Sequence, residues 1–103
     1  MFKVIKFDEK YRDLLLKRIK TRTMRLDTKD LKINEQFLVK LSDDSSTFGF
    51  INKIYRQRIF ELSEKELKAE GYKTRDNLYK DLKKYFPETT RTTYFWVLEF
   101  FIV

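Results

Sequence analysis

The chain has 103 residues, enough for one hydrophobic core and too few for two. It carries no Cys and no His, which removes thiol catalysis, imidazole acid–base chemistry, disulfides and Cys/His zinc sites. Lys and Arg outnumber Asp and Glu by 23 to 16, and the resulting net charge of +7 makes polyanions, nucleic acid ahead of acidic membrane, the partner class to consider.

Aromatic residues make up 17% of the chain, a load that can build a dense core without disulfides and argues against disorder. No uncharged run reaches membrane-spanning length, and the apolar run after Met1 is too short for a signal segment. The expectation is one cytoplasmic domain over residues 1–103, with no membrane, metal or cofactor. Nothing in the pattern assigns an oligomeric state.

In chain order, residues 2–7 alternate as a first strand. Asp8 is a plausible N-cap for a helix over residues 9–19, whose apolar stripe is Tyr11, Leu14, Leu15 and Ile19. A polar connection at 26–30 leads to a strand at 35–41 and a Ser/Asp turn at 42–46. Residues 47–60 read as one long strand, or as two joined by a bulge near Gly49. Ser63 and Glu66 have capping-box spacing, with Leu62 and Leu67 spaced as a hydrophobic staple, and that helix ends at Gly71. Thr74 caps another helix with Leu78, Leu82, Tyr85 and Phe86 on one face, and Pro87 stops it. Residues 94–103 are apolar apart from Glu99, the pattern of a strand buried on both faces. The predicted class is α+β: a small mixed barrel with about three helices packed on it. Val4, Leu15, Phe37, Val39, Ile54, Leu82, Val97 and Leu98 are its expected core.

Two stretches suggest function. In Lys20-Thr21-Arg22-Thr23-Met24-Arg25, three cations and two hydroxyls follow directly on the carbonyl end of the first predicted helix. Cations there complement the helix dipole, but the dipole does not account for Thr, Thr and Arg further on. In an extended segment Thr21, Thr23 and Arg25 share one face, a row of donors suited to a polar or anionic ligand. The second stretch is the long strand, where Lys53, Arg56 and Arg58 interleave with aromatic and aliphatic residues. That pattern suits a surface that stacks bases and holds phosphates, and equally a half-buried strand with its cations in water.

These residues resemble a family. Leu16-Lys17-Arg18-Ile19-Lys20-Thr21-Arg22-Thr23-Met24-Arg25 is similar to the GxKTxTxR signature of the ASCH domain, a PUA-like β-barrel. Leu62 to Tyr72 is similar to that family's L(T/S)xxxAxxEGY helix, and Tyr85-Phe86-Pro87 followed by the last strand resembles its ending. Two positions depart: Arg18 stands in place of Gly, and Asn34-Glu35 in place of Gly-Asp. The resemblance implies RNA or nucleotide binding between barrel and helices, with Arg18, Lys20, Arg22, Thr23, Arg25, Lys53, Arg56 and Arg58 as candidate contacts. One branch deacetylates N4-acetylcytidine. Its pattern implies Lys20 as general base, Thr23 as nucleophile and Glu70 as proton donor.

The chemistry sets conditions of its own. A Thr hydroxyl needs a neighbouring base, and without His a neutral Lys is one of few choices. Its pKa must fall from about 10.4 towards 7, which costs about 4 kcal/mol. Burial and nearby Arg charges favour that fall, and an ionised Glu70 opposes it. Lys20 must also sit in the turn before the strand, because on a regular strand it and Thr23 would face opposite sides. Three readings follow: an RNA- or nucleotide-binding module, an amidohydrolase acting on an acylated nucleoside, and a protein-interaction domain with a basic surface.

Overall fold

In the computed structural model, which describes residues 1–42 and 45–103, five strands form one curled sheet. They are β1 (Lys3–Lys6), β2 (Arg22–Arg25), β3 (Gln36–Lys40), β4 (Ser46–Gln57) and β5 (Phe95–Ile102). Their order in the sheet is β1-β3-β4-β5-β2, with β1 parallel to β3 and every other pair antiparallel. The helices are α1 (Arg12–Leu16), α2 (Glu64–Glu70) and α3 (Arg75–Tyr85), with short 3-10 turns at Glu9–Tyr11 and Ile59–Glu61. The α+β class and the half-barrel with three helices are as the sequence predicts. In the predicted turn at 42–46, Asp43 and Asp44 lie outside the described residues.

β5 divides the interior in two. Leu98, Phe100 and Ile102 join Ile5, Phe37, Val39 and Ile51 in the core enclosed by the sheet. Phe95 and Val97, on its other face, pack with Ile59, Leu62, Leu67, Leu78 and Leu82 beneath the helices. Strand alternation is therefore what lets one apolar run serve both cores. Of the expected core residues Val4 is only half-buried, because Ile5 takes the inward position of β1, followed by Phe7 just after the strand; Ile54 packs against the first core.

Three local features differ from the pattern or sharpen it. The β4–β5 ladder steps from Ile51↔Phe100 to Lys53↔Glu99, so the bulge falls at Asn52 rather than near Gly49. Gly49 instead lets Phe37 approach: a Cβ there would sit 2.8 Å from the Phe37 ring. Gly49→Ala is expected to cost about 1–3 kcal/mol in chemical denaturation, as overpacking does; a loss within error would mean that the Phe37 ring swings aside freely.

The first helix is much shorter than residues 9–19. It ends because Arg18 adopts φ 59, a left-handed conformation. Arg18 N–H then donates to Leu15 O at 3.1 Å and Ile19 N–H to Leu14 O at 2.8 Å, the paired bonds of a Schellman stop. Arg18 thus does the work of the Gly in the resembled signature, at the steric cost of a Cβ. Asn34, at φ 70, keeps the other left-handed turn.

The curl brings edge strands β1 and β2 towards each other without pairing. Side chains bridge the gap: Arg25 Nη2 donates to Lys6 O at 2.7 Å and Lys29 Nζ to Val4 O at 3.3 Å. The end of α2 also supplies acceptors to this segment, with Thr21 N–H, just before β2, donating to Ala69 O at 2.8 Å and Met24 N–H to Glu70 Oε1 at 3.1 Å.

Candidate functional site

A cleft of about 320 Å³ opens where the gap between β1 and β2 meets the helices. Lys20, Thr23, Met24 and Arg25 line one wall, with Glu70 and Tyr72 at the end of α2. Phe7, Tyr11, Leu78, Leu82, Tyr85 and Phe86 supply an apolar and aromatic surround.

Each polar group is placed by a local sequence feature. The Ser63/Glu66 capping box starts α2, and Gly71 at φ 102 ends it, so Glu70 occupies the last turn facing β2. The Arg18 stop turns the chain so that Lys20 precedes β2 rather than lying on it, and Lys20 and Thr23 reach the same cleft.

Lys20 is 3% exposed. Its Nζ donates to the Glu70 backbone carbonyl at 2.5 Å, lies 3.5 Å from Glu70 Oε1, and stands 4.7 Å from the centre of the Tyr11 ring. Burial pushes its pKa below the ordinary lysine value; Glu70 pulls the other way, and Arg25 and Arg22 add to the lowering. Arg22, 1% exposed, faces away from the cleft under α2. Its Nε lies 2.9 Å from Glu70 Oε2, its Nη1 3.1 Å from Glu66 Oε2, and its Nη2 donates to Gln57 Oε1 at 2.5 Å. The Nε and Nη1 contacts are off the hydrogen-bond axis, so these are ion pairs by proximity.

Two donors in the cleft are left over. Thr23 is 6% exposed, and its hydroxyl makes no hydrogen bond among the described residues. The Arg25 Nε is buried and likewise unpartnered. Buried polar atoms normally have partners, so the Arg25 Nε is free for a ligand, and Thr23 lines the cleft with its hydroxyl uncommitted.

Sequence reasoning missed the tyrosines. Tyr11 and Tyr72 hydroxyls bond each other, Tyr72 donates to Asp81 Oδ2 at 2.7 Å, and Asp81 is paired with Lys10. Tyr85 donates to Asp8 Oδ2 at 3.1 Å, and burial raises its pKa to about 12. Burial raises Tyr11 and Tyr72 as well, so all three are neutral donors at pH 7. Helical spacing marked Tyr11 and Tyr85 only as core-facing.

The other candidate cations lie elsewhere. Arg18 is exposed and donates to Ile102 O at 3.1 Å. Lys53 is exposed opposite Glu99. Arg56 and Arg58 stack on aromatic rings at the far end of β4. None of these four lines the cleft.

No protein-family model matches the chain, and no curated protein does. Solved structures do match. A protein of the DUF984 family from Enterococcus faecalis V583 superposes with a TM-score of 0.82 at 15% identity, over 100% of this chain and 80% of that one. The ASCH domain from Lactobacillus crispatus JV V101 gives 0.68 at 16% identity, over 98% and 79%. A point mutant of the ASCH protein from Zymomonas mobilis gives 0.70 at 12% identity, over 95% and 67%. At these identities the likeness is one of fold.

Proposed function

We propose, with the ASCH fold as premise, that the cleft holds one acylated nucleoside and hydrolyses its amide, N4-acetylcytidine being the substrate class. The observation that carries this reading is the meeting of Lys20, Thr23 and Glu70 at one cavity. The lysine there is driven towards neutrality by burial, and the hydroxyl has no competing bond. A phosphate-binding lysine gains nothing from losing its charge, whereas a general base requires it. The volume, about 320 Å³, is at the small-ligand end of the range and suits one nucleoside.

In the proposed reaction Lys20 removes the Thr23 proton as Oγ1 attacks the acyl carbonyl carbon. Collapse of the tetrahedral adduct breaks the C–N bond, and the amine leaves with the proton that Lys20 had taken. Water then hydrolyses the acyl-threonine, with Lys20 again as base, giving acetate and free Thr23. The Arg25 Nε, unpartnered at the cleft, is the donor available to the developing oxyanion. Both Glu70 oxygens already face donors: Met24 N–H and Lys20 at one, Arg22 at the other. We therefore give Glu70 the task of positioning Lys20, and give the returning proton to Lys20.

The test is incubation with N4-acetylcytidine while cytidine and acetate are followed. Since the neutral amine is the active form, kcat/KM is expected to rise with pH and level off, with a midpoint below the ordinary lysine value of 10.5. A profile flat from pH 6 to 10 would count against Lys20 as base. Nucleotide or RNA binding without turnover is a second reading, favoured by the free Arg25 donor and the net charge of +7; tight binding of the acetylated nucleoside with no acetate released would select it.

A further inference from the structure

The helices cover only one end of the outer sheet face. Phe95 and Val97 lie beneath them, but Phe101, on the same side of β5, is 47% exposed. Cross-strand register extends the uncovered part over four strands. In one row Phe101 lies opposite Phe50, and Phe50 opposite Gln36; in the next Phe48 lies opposite Leu38, and Leu38 opposite Val4. Phe2, 49% exposed, sets its ring edge-on to Phe48 at 5.0 Å, and the Phe50 and Phe101 rings stack at 5.4 Å. Gln36 is the one polar residue of these two rows, and neither row holds a charge. Lys6 and Lys40, directly opposite each other, close one end. None of the apolar residues of this face lines the cleft.

We infer that this face packs against the same face of a second copy of the chain, across a two-fold axis. Contiguous apolar area left open on a folded chain marks an interaction surface, and three observations favour a copy as the occupant. The surface is a sheet face rather than a groove, and what packs on a sheet face at about 10 Å is another sheet. At net charge +7 the chain repels its own copies, so a copy approaches most readily where charge is absent, as it is in these two rows. The area also suffices: two rows across four strands would bury roughly 1,000 Å² in the pair, the threshold of a specific interface. The cations fix the orientation. An axis along the strands would set the Lys6 and Lys40 ends of the two copies against each other, whereas an axis across the strands keeps them apart. The copies therefore pack with strands antiparallel and with Phe48 and Phe50 at the centre. This inference does not rest on the proposed function.

Sedimentation equilibrium of the whole chain, from about 1 μM to 1 mM, is expected to show a monomer–dimer equilibrium, as an interface of this small area gives. Phe101→Lys is expected to raise the dissociation constant about thirtyfold or more, the loss of one buried aromatic anchor. Phe60→Lys is the matched control, because Phe60 is 55% exposed but lies in the turn after β4, away from this face; it should leave the equilibrium unchanged. A second measurement does not depend on how well Phe101→Lys folds. The chain has no Cys, so Gln36→Cys carries the sole thiol, at the edge of the face. A short bis-maleimide should link that variant in pairs and leave Lys65→Cys, on exposed α2, unlinked. A wild-type chain that stays monomeric up to 1 mM would overturn the inference. So would a dimer that survives Phe101→Lys, or equal linking of the two thiol variants, since either places the contact elsewhere. Monomeric chain that instead binds phosphatidylcholine vesicles, and loses that binding in Phe101→Lys, would give the face to lipid and overturn it as well.

Discussion

Thr23→Ala is expected to lower deacetylation of N4-acetylcytidine by about 10³-fold or more, and Lys20→Ala by a similar factor, while the double variant falls little further. Groups that act as one unit behave non-additively in this way. Thr23→Ser should keep measurable turnover, because the hydroxyl remains. The Thr23 variants also separate chemistry from folding. The Thr23 hydroxyl makes no hydrogen bond among the described residues, so its removal should change stability by less than about 1 kcal/mol. Turnover that survives Thr23→Ala at near wild-type rate would remove the nucleophile, and with it the mechanism.

Arg22→Ala is the largest stability loss expected, about 3–5 kcal/mol in urea denaturation at neutral pH. It leaves Glu70, 3% exposed, without its closest countercharge, and breaking one side of a buried pair costs far more than the pair is worth. Against the roughly 5–15 kcal/mol of a typical domain that loss is severe. Arg22→Met combined with Glu70→Gln should recover part of it, because the buried carboxylate is gone while Lys20 keeps its bond to the Glu70 backbone carbonyl but loses its countercharge. If Arg22→Ala costs less than about 1 kcal/mol, Arg22 does not hold α2 to β2. Glu70→Gln alone has a different readout. Glu70 is the strongest influence raising the Lys20 pKa, so its neutralisation should move the midpoint of the activity profile to lower pH.

The sequence made legible what depends on neighbours along the chain. The Ser63/Glu66 box, the Gly71 stop and the Thr74 cap are all local chemistry, and each has the predicted conformation. β5 was legible because a ten-residue run that is apolar apart from Glu99 leaves little choice. The length of α1 was not, since nothing in the residue type warns that Arg18 will take a left-handed conformation in place of Gly. Nor was the burial of Glu70, which by local rules is a solvated residue at the end of a short helix. It is buried because β2 presents the Met24 N–H, 46 residues away in the chain, and Arg22 to it, and such contacts leave no mark on helical spacing. The clustering of Lys20, Thr23 and Glu70 could be expected only from the resemblance.

The unpaired margins of β1 and β2 would ordinarily be sticky, because a free strand edge is a template for a strand from another molecule. Here the outward carbonyls of Val4 and Lys6 are already occupied by Lys29 and Arg25, and the Met24 N–H by Glu70. A second chain could add to either margin only by displacing a charged side chain. Arg25 therefore guards against intermolecular pairing as well as lining the cleft. A variant that removes it should be checked for aggregation by light scattering before any loss of activity is ascribed to the missing donor.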